Sequence, residues 1–284
     1  VKNLFTEADD ILGFNLSNII LNGPKTELDL TENTQPAIFL VSYSIFKVIK
    51  KEFNIDLNKA NFFAGHSLGE YSALASAGTL SFKDTLKILK VRGKAMQNSV
   101  PIGIGGMVAV LGSDIKNIEN IIEENKNKYE CFIANDNSKG QIVLSGNVAD
   151  LEKMMIDLKS KNIKNIKLPV SAPFHCKLMR KATEAMITQI NELKFNEPKN
   201  ILVSNVTATE INKPEMFKDL LIQQIESRVR WRESVLFMIK KGVNQFVEIG
   251  PGKVLSGLIK RIDKGIKVSA INTEEDIKLL NIND

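Results

Sequence analysis

Along the chain, short apolar runs alternate with longer stretches in which apolar residues recur every three or four positions. Phe62-Phe63-Ala64 reads as a short buried strand. The run breaks at Gly65, and from Leu68 an Ala- and Leu-rich helical pattern continues to a C-terminal stop at Gly78. Gly65-x-Ser67-x-Gly69 thus falls where a strand turns sharply into a helix, and small residues on either side of Ser67 let the chain bend so tightly. Such a turn pushes the serine hydroxyl clear of the backbone and leaves it facing the free N–H groups of the helix start. Upstream, residues 1–33 read as helical fragments and turns with a break at Asn22-Gly23-Pro24. Thr34 before Gln35-Pro36 predicts a helix start, and Ile38, Val41, Ile45, Val48 and Ile49 predict a buried helix over Ala37 to Phe53. Downstream, Ser81-x-x-Asp84 opens a helix running to Asn98, whose inward face carries Ile88, Ala95 and Met96. Arg92 falls on that same face.

Between Gly105 and Ser171 the rhythm changes. Strands are predicted at Met107–Leu111, Cys131–Ala134, Gln141–Ser145 and Ile166–Val170, with helices at Ile115–Glu124 and Asp150–Lys161. That order, βαββαβ, is the ferredoxin-like signature, with Asn135 to Gln141 as a hairpin loop rich in turn formers. Beyond it follow a long helix to Leu193, a strand at Ile201–Val206, a helix ending at Glu226, a helix at Arg232–Lys241, a strand at Gln245–Ile249 and a helix at Val254–Ile262. Alternating strands and helices on both sides of the insert predict an α/β fold: a large α/β-hydrolase-like subdomain with a mainly parallel sheet, residues 1–104 and 172–284, interrupted by a small ferredoxin-like subdomain, 105–171.

Composition narrows the function classes. The 284 residues are 43% hydrophobic and 25% charged, as in an ordinary globular protein, and no apolar run is long enough to span a bilayer. The formal charge of +5 is spread over a Lys- and Asn-rich chain without a basic run interleaved with aromatics, which argues against a nucleic-acid partner and leaves a mild field that favours an acidic one. Two cysteines, Cys131 and Cys176, fit a reducing, cytoplasmic setting better than a disulfide framework. With His66 and His175 they show no metal-ligand spacing, so no metal site is expected. Gly250-Pro251-Gly252-Lys253 lacks the spacing of a phosphate loop.

A serine hydroxyl is a poor nucleophile until a base takes its proton. Of the two histidines, His66 adjoins Ser67, and neighbouring side chains at a strand end point to opposite sides. His175, behind the stiff Pro173-Phe174 approach, is the candidate base, although a lone histidine is commonly a buried one satisfied by a carbonyl. No acid is identifiable behind it by spacing. Arg92 on an inward face is costly unless it meets an anion, and periodicity alone favours a structural partner or a snorkelling side chain. Cys176 directly after His175 is a weak nucleophile candidate, since buried cysteines are commonly inert.

The string Gly65-His66-Ser67-Leu68-Gly69-Glu70-Tyr71-Ser72-Ala73 resembles the nucleophile motif of malonyl-CoA:acyl carrier protein transacylases and the related acyltransferase domains of fatty acid and polyketide synthases. Further segments match at Thr34-Gln35-Pro36-Ala37, Val91-Arg92-Gly93-Lys94-Ala95-Met96-Gln97, Pro173-Phe174-His175 and Glu248-Ile249-Gly250-Pro251-Gly252-Lys253, so the resemblance spans nearly the whole chain. It implies two-step acyl transfer from malonyl-CoA to acyl carrier protein, with no cofactor, by a monomer. Ser67 would be the nucleophile, His175 the base, and Arg92 the ligand of the malonyl carboxylate. Leu68 would supply one oxyanion N–H, Phe174 would restrict branched acyl groups, and the main-chain carbonyl of Gln224 would orient His175. Because that last contact is main-chain, Gln224→Ala is expected to matter little. The family pattern also has Pro where Lys139 stands, and it opens with a strand and a Gly-Gln-Gly-Ser loop that this sequence, starting at Val1, lacks. The sequence is accordingly expected to be an incomplete version of an active enzyme. A serine esterase or thioesterase using the same pair, and a non-catalytic carrier-protein docking module, are the alternatives.

Overall fold

The computed structural model describes residues 1–211 and 213–280. The chain opens with helices α1 (Lys2–Leu12), α2 (Leu16–Asn22) and α3 (Lys25–Leu28), then the long α4 (Thr31–Lys51). Strand β1 (Phe62–Phe63) runs into α5 (Leu68–Ser76), followed by α6 (Phe82–Asn98). The insert comprises β2 (Gly105–Leu111), α7 (Ile115–Glu124), β3 (Cys131–Ser138), β4 (Gln141–Asn147), α8 (Val148–Ser160) and β5 (Lys164–Lys167). The chain then returns through α9 (Arg180–Asn191), β6 (Ile201–Leu202), α10 (Met216–Glu226) and α11 (Trp231–Lys240). It ends with β7 (Gln245–Ile249), α12 (Val254–Ile262), β8 (Lys267–Ile271) and α13 (Glu274–Lys278).

The insert has the expected topology. Its four antiparallel strands lie in the order β3-β4-β2-β5, so the first and third strands of the motif sit side by side at the centre, and α7 and α8 cover one face around Val108, Val110, Ile118, Ile121, Leu144 and Leu158. Helices α4, α5, α6, α9 and α10 share the principal core, which includes Phe39, Leu40, Leu74, Leu89, Met186 and Phe217.

The strands of the large subdomain pair in parallel as expected, in the ladders β1-β6 and β7-β8. Three local expectations are corrected. Phe62 and Phe63 are half-buried, and β6 is two residues long because the chain turns at Ser204–Thr209 and pairs back through Val203 and Glu210. Helix α4 begins at Thr31, ahead of the expected Thr34 cap, because its first turn is tied to α6: Thr31 Oγ1 bonds Gln97, and Gly93 approaches so closely that a Cβ there would lie 2.5 Å from the Thr31 carbonyl. Finally, Asn135–Ser138 is strand, and only Lys139-Gly140, with Gly140 at φ 77°, makes the turn. Asp136 and Asn137 of this segment face partners in the large subdomain. Val229 N–H donates to the Ala134 carbonyl and Asp136 N–H to that of Val229, and the buried Asp136 carboxylate takes a forked pair from Arg232 at 2.8–3.0 Å.

Candidate active site

The turn between β1 and α5 is as tight as the glycine spacing implies. A Cβ on Gly65 would lie 1.9 Å from the Gly69 carbonyl, so only glycine fits. Ser67 adopts φ 55°, ψ −112°, a conformation that non-glycine residues occupy at a cost of about 1–3 kcal/mol when the surroundings enforce it. Asn205 enforces it. Its Oδ1 accepts the Ser67 N–H at 2.7 Å, and its Nδ2 donates to the Gly65 carbonyl at 2.7 Å. The Leu68 N–H, first of the helix, has no acceptor among the described residues and points with the positive end of α5.

Ser67 Oγ lies 2.8 Å from His175 Nε2 although 108 residues separate them. His175 Nδ1 lies 2.9 Å from the Gln224 carbonyl. A carbonyl only accepts, so Nδ1 carries the proton and Nε2 is left as the acceptor of the serine O–H. Burial, and then the Arg92 charge, push the His175 pKa down to about 3, so the imidazole is neutral at physiological pH. His175 is itself held at φ 59°, and its approach is pinned from the insert: Ser145 Oγ on β4 donates to the Phe174 carbonyl at 2.6 Å. The Phe174 ring, half-buried, packs against both the principal core and the small cluster of Met107, Ala134 and Val143.

Arg92 is 1% exposed. Its NH1 donates to Gln35 Oε1 at 2.7 Å, and its NH2 donates to Gln224 Oε1 at 2.8 Å and to Ser67 Oγ at 3.1 Å. The guanidinium also lies over the Tyr71 ring, 5.5 Å from its centre. The two glutamine carbonyls hold the guanidinium against Ser67 Oγ. The cavity beside the site, about 470 Å³, is lined by His175, Cys176, Phe132 and Arg228 among others, and not by Ser67 or Arg92.

Gln224 does more than its main chain. Its main-chain carbonyl meets His175 as expected, but its fully buried side chain is a hub. Nε2 donates to Glu70 Oε2 at 2.6 Å and to the Ser67 carbonyl at 3.1 Å, while Oε1 accepts from Arg92. Glu70, Asn205, Gln35 and Ser145 had not been singled out. Glu70 and Gln35 lie inside the quoted strings, one turn after Ser67 and at the start of α4, and an ionisable or amide side chain on an apolar helix face was the available signal. His66, by contrast, points away from the pair: its Nε2 lies 2.8 Å from Asn137 Oδ1 on β3, and its ring packs near Trp231. Burial raises the Cys176 pKa to about 12, and its Sγ donates to the Pro173 carbonyl, which is the state of an inert thiol. No group of three or more potential metal-binding residues occurs among the described residues.

A serine on a strand-to-helix elbow, a neutral imidazole accepting its proton, and an amide N–H and a guanidinium beside it make a centre for nucleophilic acyl transfer on an α/β fold. The comparisons agree. The acyl transferase domain family matches residues 6–277, and the chain belongs to that family. Malonyl CoA-acyl carrier protein transacylase of Bacillus subtilis (strain 168) is 40% identical over 282 residues, covering 98% of this chain and 87% of the relative. The crystal structure of acyl-carrier-protein-S-malonyltransferase from Bartonella henselae superposes with a TM-score of 0.94 at 43% identity, over 98% of this chain and 89% of that one. A malonyl-transacylase solved in complex with its type II PKS acyl-carrier protein gives 0.93 at 36% identity, over 98% and 89%.

Proposed function

We propose that the protein moves a malonyl group from malonyl-CoA to the phosphopantetheine thiol of acyl carrier protein through a malonyl ester on Ser67, as a step of fatty acid synthesis. The observation that carries this reading is the convergence on one oxygen: Ser67 Oγ lies 2.8 Å from a neutral imidazole nitrogen and 3.1 Å from a buried guanidinium. In the first step His175 Nε2 takes the Ser67 proton as Oγ attacks the thioester carbon. The Leu68 N–H supports the oxyanion, the C–S bond breaks, and the proton passes to the coenzyme A thiolate. In the second step His175 takes the proton of the carrier thiol, whose sulfur attacks the ester, and returns it to Ser67 Oγ. General-base help of this kind contributes about 10²–10⁴-fold.

Arg92 NH2 stands close enough to Oγ to reach a carboxylate carried two bonds beyond the ester carbonyl carbon, in a charge-assisted pair. An ester of an apolar acid gains nothing from that cation, which is why we prefer transfer of an anionic acyl group to simple esterase action. Phe174 narrows the site against branched acyl groups, and the Gln224 carbonyl fixes the imidazole tautomer. The two steps balance with these side chains and the thiols alone and call for no cofactor. We further take residues 1–104 and 172–284 to form the catalytic subdomain and 105–171 the insert. We take the protein to act as a monomer, in the cytoplasm, where its two unpaired cysteines fit. No described helix is long and apolar enough to cross a membrane.

The test is intact-mass measurement after incubation with malonyl-CoA or acetyl-CoA. The expected result is a malonyl adduct that Ser67→Ala abolishes and that acetyl-CoA forms poorly. A chain that stays folded and unlabelled overturns the reading.

A further inference from the structure

A buried cation normally has an anion against it, because an unpaired charge away from water is costly. Among the described residues Arg92 has none: its three hydrogen-bond acceptors, Gln35 Oε1, Gln224 Oε1 and Ser67 Oγ, are neutral. One carboxylate stands nearby, that of Glu70, 2% exposed and one helical turn past the nucleophile. The Gln224 amide bridges the two, its carbonyl end accepting from Arg92 at 2.8 Å and its N–H end donating to Glu70 Oε2 at 2.6 Å. The amide dipole is thereby aligned with both charges. The Asn205 main-chain N–H holds the same oxygen from the other side at 3.2 Å.

We propose that Glu70 is the counter-ion of Arg92, set back by one amide so that the place against the guanidinium is left to a substrate carboxylate. Glu70 is thus a positioning residue, and the inference rests on the reading of Arg92 as the ligand of the malonyl carboxylate. A direct Arg92–Glu70 pair would fill the anion site. A guanidinium with no counter-ion would be a worse cation to bury. The relayed pair avoids both.

This arrangement has a measurable consequence. When a second carboxylate reaches Arg92, two anions share one cation, and the one that can shed its charge takes a proton. Burial holds Glu70 up to about 7, against weaker opposing effects of Gln224, Asn205 and Arg92, so it is poised to do so near neutrality. Of the other titratable groups around it, Tyr71 on its own helix is pushed up to about 12 and His175 down to about 3, while burial lowers both Arg92 and His66. Malonyl binding is therefore coupled to proton uptake by Glu70, and by reciprocity it weakens as pH rises.

The test is titration calorimetry of malonyl-CoA into the Ser67→Ala chain, which cannot be acylated, in buffers of differing ionisation enthalpy. Acetyl-CoA, with the same phosphates, is the control. The expected result is an uptake of about half a proton per malonyl-CoA at pH 7 in excess of acetyl-CoA. Affinity should weaken about tenfold from pH 6 to pH 8, and both effects should vanish in the Ser67→Ala/Glu70→Gln chain, which binds malonyl-CoA more tightly at pH 8. No excess uptake in the Glu70 parent, a measurement that needs no change at Glu70, overturns the proposal, as does equal uptake in the two chains. If malonyl-CoA and acetyl-CoA bind alike and Arg92→Ala alters neither, the reading of Arg92 falls and this inference falls with it.

Discussion

Gln224→Ala separates what the main chain does at this site from what the side chain does. The His175 contact is to a backbone carbonyl and survives the substitution. The side chain, fully buried, makes three further hydrogen bonds, two of them to the ionisable partners Arg92 and Glu70. Hydrogen bonds to charged groups are worth about 1.5–3 kcal/mol each and a neutral one about 1, and truncation strands both partners in the interior. The expected loss is roughly 4–7 kcal/mol, a large part of the 5–15 kcal/mol that typically holds a domain folded. In calorimetry this lowers the unfolding midpoint by about 10–20 °C for Gln224→Ala, and comparably for Gln224→Met, which restores volume but no polar atom. Midpoints within about 3 °C of the parent for both variants would refute the reasoning.

Gly65→Ala places a methyl 1.9 Å from the Gly69 carbonyl, and the expected outcome is loss of the Ser67 adduct in any folded fraction, read by intact mass. Arg92→Ala should lower labelling by malonyl-CoA at least tenfold while improving that by acetyl-CoA, since a charge-assisted pair is worth about 1.5–3 kcal/mol. Ser145→Ala frees the Phe174 carbonyl and should cost about 1–2 kcal/mol of stability, with a slower acylation step, measured by urea unfolding and stopped flow. For pH, the lowered His175 value of about 3 means that the base form is present throughout the neutral range and lost only as pH falls toward that value. Turnover at saturating malonyl-CoA should then be flat from pH 5 to 8, with the pH dependence confined to KM. A bell with an acid limb near 6.5 would contradict it.

The site was legible where a residue's role follows from a local string. The Gly65-x-Ser67-x-Gly69 elbow is a matter of three neighbouring positions, and the structure gives it the strained φ and the close approach the spacing implies. The pairing of Ser67 with His175 came from inventory, two histidines with one disqualified, and the 2.8 Å contact agrees. What escaped was the layer that fixes these groups. Asn205 and Gln224 each reach Glu70 across more than 130 residues, and no period or spacing encodes such a contact. The Asn135–Ser138 segment was misread for a related reason. Its residues favour turns when water is their partner, but here Asp136 meets Arg232, Asn137 meets His66 and the backbone pairs with Val229 of the other subdomain, and the ladder runs on. Strands β1 and β6 came out shorter than their apolar runs because ladder length depends on the neighbour as well as the run.

The same misread segment explains why an insert from outside the core belongs to the catalytic centre at all. His175 and Ser67 both hold positive φ, and each conformation needs a reaction force from packed neighbours. For Ser67 the force comes from the core, through Asn205. For His175 it comes from both sides: Gln224 of α10 holds the ring, and Ser145 of β4 holds the carbonyl just before it. The insert can push back only if it is itself immobile against the core. That is the work of the Asp136–Arg232 fork, the two backbone bonds of Val229 and the His66–Asn137 contact. Arg232→Ala, which leaves the Asp136 carboxylate buried and unpaired, should therefore slow acylation of Ser67 without touching it, and Asp136→Asn/Arg232→Gln, a neutral pair, should recover most of the rate. Equal acylation rates in the parent and in a folded Arg232→Ala chain would show that the insert positions nothing.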